Sequence, residues 1–149
     1  MAQTDVGQHM EWVVRAYIQA CNDADAPAIA ACFAPEGLHY VPVNDQGSGN
    51  LVGGADVGGR FAALVHATGV RWTIDYVISD PDRHLAILEW SSFSQRPARV
   101  RRGIDWFVFD PPTMRIADIR TYFAALPSPT ALRTEHLDFD YAGRGYPTA

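Results

Sequence analysis

The hydrophobic period of this chain changes once, and that change limits what it can fold into. Apart from one strand pattern at 38–43, the apolar residues up to Gly69 recur at helical spacing, and from Val70 onward they alternate as in strands. Met10, Val13, Val14, Tyr17, Ile18 and Cys21 share one face of a first helix. Asn22-Asp23-Ala24-Asp25 breaks it, and Asp25 is placed to cap a second helix with Pro27 in its first turn. That helix is expected to carry Ile29, Ala30, Cys32 and Phe33 and to stop before Pro35. Residues 38–43 read as a strand and 44–50 as a polar, glycine-containing loop. The glycines from Gly53 to Gly59 match neither a dinucleotide fingerprint nor a phosphate loop, so they read as a turn and the start of a short third helix. This helix carries Phe61, Leu64 and Val65. Strands are expected over 70–79, 84–94, 101–110 and 114–125, with turns at Asp80-Pro81-Asp82 and Asp110-Pro111-Pro112. Helices first and antiparallel strands afterwards is an α+β order. A curved, mostly antiparallel sheet wrapped around three N-terminal helices would leave a cone-shaped hollow open at one end.

Composition narrows the function. The 149 residues fit one domain, read as a cone over 1–126 followed by a tail over 127–149 that is rich in Pro, Gly and aromatics. Three aromatics between Asp138 and Pro147 suggest that the tail packs over the cone mouth or on a neighbouring subunit. A net charge of −5 argues against nucleic acid as a partner. No apolar run reaches membrane-spanning length, and the N-terminus lacks a signal pattern, so a cytoplasmic protein without membrane contact is expected. Cys21 and Cys32 fall in helical pattern among apolar residues and read as reduced core thiols. The five histidines are scattered, so no metal is expected. The basic segment Arg96-Pro97-Ala98-Arg99-Val100-Arg101-Arg102 reads as a solvated hairpin, its functional alternative being guidance of an anionic substrate to the cone mouth.

Tyr17-Ile18, the segment Asp25 … Ile29 … Phe33-Ala34, Pro42, and Ile104-Asp105 … Phe109-Asp110 before Arg115-Ile116 occur in an order that resembles the nuclear transport factor 2-like superfamily. That superfamily includes the SnoaL-like polyketide cyclases and the ketosteroid isomerases. The resemblance covers 10–125 and implies the cone fold, the absence of a cofactor and a homodimer formed through the exposed sheet face. In ketosteroid isomerases a tyrosine on the first helix and an aspartic acid on a late strand form the oxyanion hole. Tyr17 and Asp105 match those positions. The general base of that family stands where this chain has Val41, and valine cannot move a proton.

Strand alternation supplies a replacement. If Val41 faces the cavity, His39 and Val43 face it too and Tyr40 faces out. The same parity places Arg101, Gly103, Asp105 and Phe107 inside on one strand. An ungapped hairpin adds Leu88, Trp90 and Ser92 and puts Glu89 on the outer face, while the last strand contributes Ile119, Thr121 and Phe123. The expected site therefore has Tyr17 and Asp105 holding an oxyanion and His39 shuttling the proton. Val41, Leu88, Trp90, Arg101, Phe107, Ile119, Thr121 and Phe123 surround a small, mostly apolar carbonyl compound. Burial should raise the pKa of Asp105 so that it donates a hydrogen bond as a neutral acid. The expected activity is an isomerisation, cyclisation or dehydration. The alternatives are a ligand-binding or partner-binding module and an epoxide hydrolase-like enzyme, the last disfavoured because Thr121 stands where that family has an aspartate.

Overall fold

A computed structural model describes residues 3–41 and 50–123. The loop read at 44–50 and the tail at 127–149 lie almost wholly outside the described residues, as does Val43. The chain runs α1 (Gln3–Asn22), α2 (Ala26–Ala31), β1 (Phe33–Tyr40), β2 (Leu51–Val52), α3 (Gly54–Thr68), β3 (Arg71–Asp80), β4 (Leu85–Gln95), β5 (Ala98–Asp110) and β6 (Arg115–Phe123). The strands form one curved sheet in the order β2-β1-β6-β5-β4-β3, in which only the β1–β6 pair is parallel. The α+β class expected from the change of period is the observed one.

The apolar stripe of α1 is buried along its length, from Met10 through Val14 and Tyr17 to Cys21. Asn22 then ties the helix to the sheet. Its side-chain amide donates to the Trp72 carbonyl and its Oδ1 accepts from the Trp72 backbone N–H, both at 2.8 Å. Asp25 caps α2 by accepting from the Ala28 N–H at 3.0 Å, with Pro27 in the first turn. The glycines of α3 serve close packing. A Cβ on Gly54 or Gly58 would strike the α2 backbone at Ala30 or Ala26. Gly69 closes α3 in the left-handed region at φ 67°.

The boundaries around β1 differ from expectation. Phe33 belongs to β1 and not to the second helix, because it pairs with Ile116 of β6, whose N–H donates to the Cys32 carbonyl. The register shifts between Phe33 and Leu38, so the breakers Pro35 and Gly37 occupy an irregularity inside a strand that starts earlier than residue 38. That strand ends at Tyr40, leaving Val41 one residue beyond it. The short β2 was also not foreseen. It pairs Leu51 with His39 and Val52 with Leu38, at the outer edge of the sheet beyond β1.

Candidate active site

The β4–β5 ladder is ungapped, pairing Leu88 with Asp105, Trp90 with Gly103 and Ser92 with Arg101. On β6, Thr121 stands opposite Asp105 and Phe123 opposite Gly103. Period-two alternation then directs Trp90, Ser92, Arg101, Asp105, Thr121 and Phe123 to the concave side, where α1 and α3 close over them. The result is a cavity of about 140 Å³ whose lining also includes Tyr17, His39 and Val41. Tyr40 is exposed, and Glu89 lies on the convex face, where it is ion-paired with Arg102.

Three expected lining residues are elsewhere. Leu88, Phe107 and Ile119 share the concave face but are fully buried in the core cluster. Here α1 presses directly on the sheet, and the Tyr17 ring stands edge-on to Phe107 with centroids 5.9 Å apart. Parity gives the face of a strand, and the depth at which helices fill that face is a tertiary matter.

The cavity floor holds a continuous polar run. The Tyr17 hydroxyl lies 3.3 Å from His39 Nδ1, and His39 Nε2 lies 2.9 Å from Thr121 Oγ1. Thr121 stands directly opposite Asp105 across the β5–β6 pair, close enough to act on the Asp105 carboxyl, which is 6% exposed. Burial raises the Asp105 pKa from 3.8 to about 6, partly opposed by Thr121 and by the Trp90 indole. Trp90 Nε1 and Asp105 Oδ1 are both buried without a hydrogen bond of full geometry. They are near enough to interact electrostatically but not to satisfy one another. Burial likewise lowers His39 from 6.5 to about 3, so the imidazole is neutral. Burial, reinforced by Cys21 and Asp105, pushes Tyr17 well above the ordinary phenol value, so it keeps its proton. Cys21 lines the cavity as a free thiol, and burial pushes it up and away from thiolate chemistry.

Some site residues were not foreseen. Phe61 of α3 stacks on the His39 ring with centroids 5.1 Å apart and planes 10° from parallel. It is the aromatic lid that keeps the imidazole dry. Its place on the apolar stripe with Leu64 and Val65 was the available signal. Trp72 of β3 packs against Phe61 at 5.8 Å. Arg60 and Arg99 join Arg101 in the lining. Among the described residues no three His, Cys, Asp or Glu side chains converge as a metal set. No helix among them is long and apolar enough to cross a membrane.

The family model of the SnoaL-like domain matches residues 14–119. A solved structure from Methylobium petroleophilum PM1, described as a protein of unknown function with a cystatin-like fold, is 37% identical. The match covers 95% of this chain and 93% of that one, with a TM-score of 0.75. The epoxide hydrolase/cyclase-like enzyme SalBIII, which acts in pyran ring formation in the polyether salinomycin, is similar at 20% identity. There the match covers 78% of this chain and 92% of that one, with a TM-score of 0.64. A putative polyketide cyclase from Sinorhizobium meliloti is 16% identical, over 82% of this chain and 100% of its own, with a TM-score of 0.62. No curated protein matches the sequence.

Proposed function

The chain belongs to the SnoaL-like family, and on that premise we propose that it is a cofactor-independent acid–base enzyme. Its substrate is a small, mostly apolar carbonyl compound, and the reaction is an isomerisation, cyclisation or dehydration through an enolate-like intermediate. The observation that carries this reading is the buried run Tyr17–His39–Thr121–Asp105 on the floor of an otherwise apolar cavity. Such a cavity with few convergent polar groups is the usual make-up of a small-molecule site.

The roles follow from the pKa directions. Asp105, brought to about 6, is matched to proton transfer near neutrality and is the acid–base group. It takes the task that sequence reasoning gave to His39, since an imidazole lowered to about 3 is too weak a base to deprotonate carbon. Tyr17 remains a phenol and is the oxyanion donor. His39 and Thr121 set the direction in which the run donates. With Asp105 ionised, Thr121 O–H donates to the carboxylate, His39 Nε2–H to Thr121, and Tyr17 O–H to His39 Nδ1. When Asp105 has taken the substrate proton it no longer draws the Thr121 hydroxyl as a carboxylate does, and the Tyr17 O–H turns from Nδ1 to the substrate oxyanion. The second arrangement holds one proton more, the one removed from carbon, and the imidazole keeps its Nε2–H tautomer.

The test is exchange of α-protons from a single-ring ketone such as cyclohexanone in D2O, followed by NMR. The wild type should accelerate exchange over buffer, and Tyr17→Phe or Asp105→Asn should each lose roughly 10²–10³-fold. A wild type no faster than buffer would return the cavity to the ligand-binding reading. The same proposal includes a homodimer through the convex face of the sheet, where Tyr76, Ile78, Ile104, Trp106 and Tyr122 are exposed.

A further inference from the structure

The cavity has a second polar end. Ser94 and Pro97 at the β4–β5 hairpin line it together with Arg99 and Arg101 of β5, and Arg60 of α3 joins them. Among the described lining residues three are cationic and one, Asp105, is acidic. The chain as a whole carries a net charge of −5, so this cluster is not a sample of a basic surface. The Arg101 guanidinium sits over the Phe123 ring, 5.3 Å from its centroid. Arg99 Nε is buried and has no hydrogen-bond partner among the described residues, a donor whose desolvation nothing yet offsets.

Geometry sets the length of what fits. Arg101 and Asp105 lie on the same face of one strand, four residues apart, which separates their Cα atoms by about 13 Å. Between these ends the walls are aromatic, with Phe61, Trp72, Trp90 and Phe123. The volume of about 140 Å³ is close to that at which a cavity takes one benzene, about 150 Å³. A fused multi-ring skeleton exceeds it.

We infer that the cavity takes a single-ring carbonyl compound bearing a carboxylate, held by Arg99, beside Arg101, at the hairpin end while its carbonyl oxygen meets Tyr17 and its α-carbon faces Asp105 at the floor. The inference rests on the oxyanion reading of that floor and adds the substrate class. A neutral ring would leave the buried Arg99 donor unpaired, and a larger one would not fit between the aromatic walls.

The probes are 3-(4-hydroxyphenyl)propanoate, whose phenol mimics an enolate, and its neutral methyl ester. Binding is read by calorimetry and tryptophan fluorescence, with circular dichroism to confirm that each variant is folded. The acid should bind about tenfold or more tighter than the ester, the worth of one charge-assisted hydrogen bond. Arg99→Gln combined with Arg101→Gln should remove that preference and leave the ester unchanged, and Arg99→Lys should retain part of it. Tyr17→Phe should weaken both probes alike. Equal binding of acid and ester, still sensitive to Tyr17→Phe, would overturn the carboxylate inference and leave the oxyanion reading standing. An arginine-dependent preference indifferent to Tyr17→Phe would do the reverse. If neither probe binds, both fall.

Discussion

His39 and Asp105 are buried titratable groups whose burial pulls stability in opposite directions with pH. His39 is neutral when folded, with a pKa near 3, so its contribution is complete above 6.5. It is lost as pH falls toward 3, because the unfolded chain takes up the proton first. Asp105 holds its proton up to about 6 when folded, while the unfolded chain releases it near 3.8. Its contribution is therefore complete below 3.8 and lost as pH rises through 6, a cost of roughly 3 kcal/mol once ionised. Between pH 4 and 6 the two slopes cancel. Asp105→Asn removes one of them, so the variant should lose about 1.4 kcal/mol per pH unit relative to wild type as pH is lowered from 6 to 4. Urea unfolding of both proteins at several pH values checks this, and a difference that does not change with pH would refute it. The sequence showed where these residues stand but not what they do. Alternation placed His39, Asp105 and Thr121 on one face, whereas burial depth, on which the proposed choice of Asp105 over His39 as base rests, depends on Phe61 arriving from another element.

At the scale of elements, the site depends on a flat contact between β4 and β5. Gly103 stands opposite Trp90, and any Cβ there would strike the indole six-membered ring. The missing side chain lets Trp90 lie across β5 and bring its N–H beside Asp105. Gly103→Ala should cost about 1–3 kcal/mol by overpacking. It should also turn the indole, shifting tryptophan emission and the Asp105 pKa together. Unchanged stability and emission would show that Trp90 is not held this way. The uninterrupted β4–β5 hairpin was legible because its turn is short and its faces alternate cleanly. The start of β1 was not legible, because Pro35 and Gly37 signal a break that the β6 pairing overrides. Nor were Arg60 and Arg99 marked: Arg99 shares the parity of Arg101 but precedes the expected strand start, since β5 begins at Ala98, and the place of Arg60 belongs to how α3 sits on the sheet.

For the whole molecule, the cone presents two faces with different tasks. The concave face holds the cavity. The convex face exposes Tyr76, Ile78, Ile104, Trp106 and Tyr122 around an ionic cluster. Within it the buried Arg102 pairs with Glu89 and with Asp75 at 3.4 Å, and Ser91 donates to Asp75 at 2.8 Å. An exposed apolar patch rimmed by polar groups is the character of an association surface. Light scattering on the full chain should give the mass of two copies, and Trp106→Glu should reduce it to one. A wild type that runs as a single copy would end the dimer proposal. The central claim is that Asp105 is the base of an enolising site, and the pH dependence of α-proton exchange tests it most directly. A base must be ionised to act, so the wild-type rate should rise with pH and level off around an inflection near 6, a rise that Asp105→Asn abolishes. A rate that falls through the same inflection would make Asp105 a neutral donor instead, and a flat profile would remove it from the chemistry.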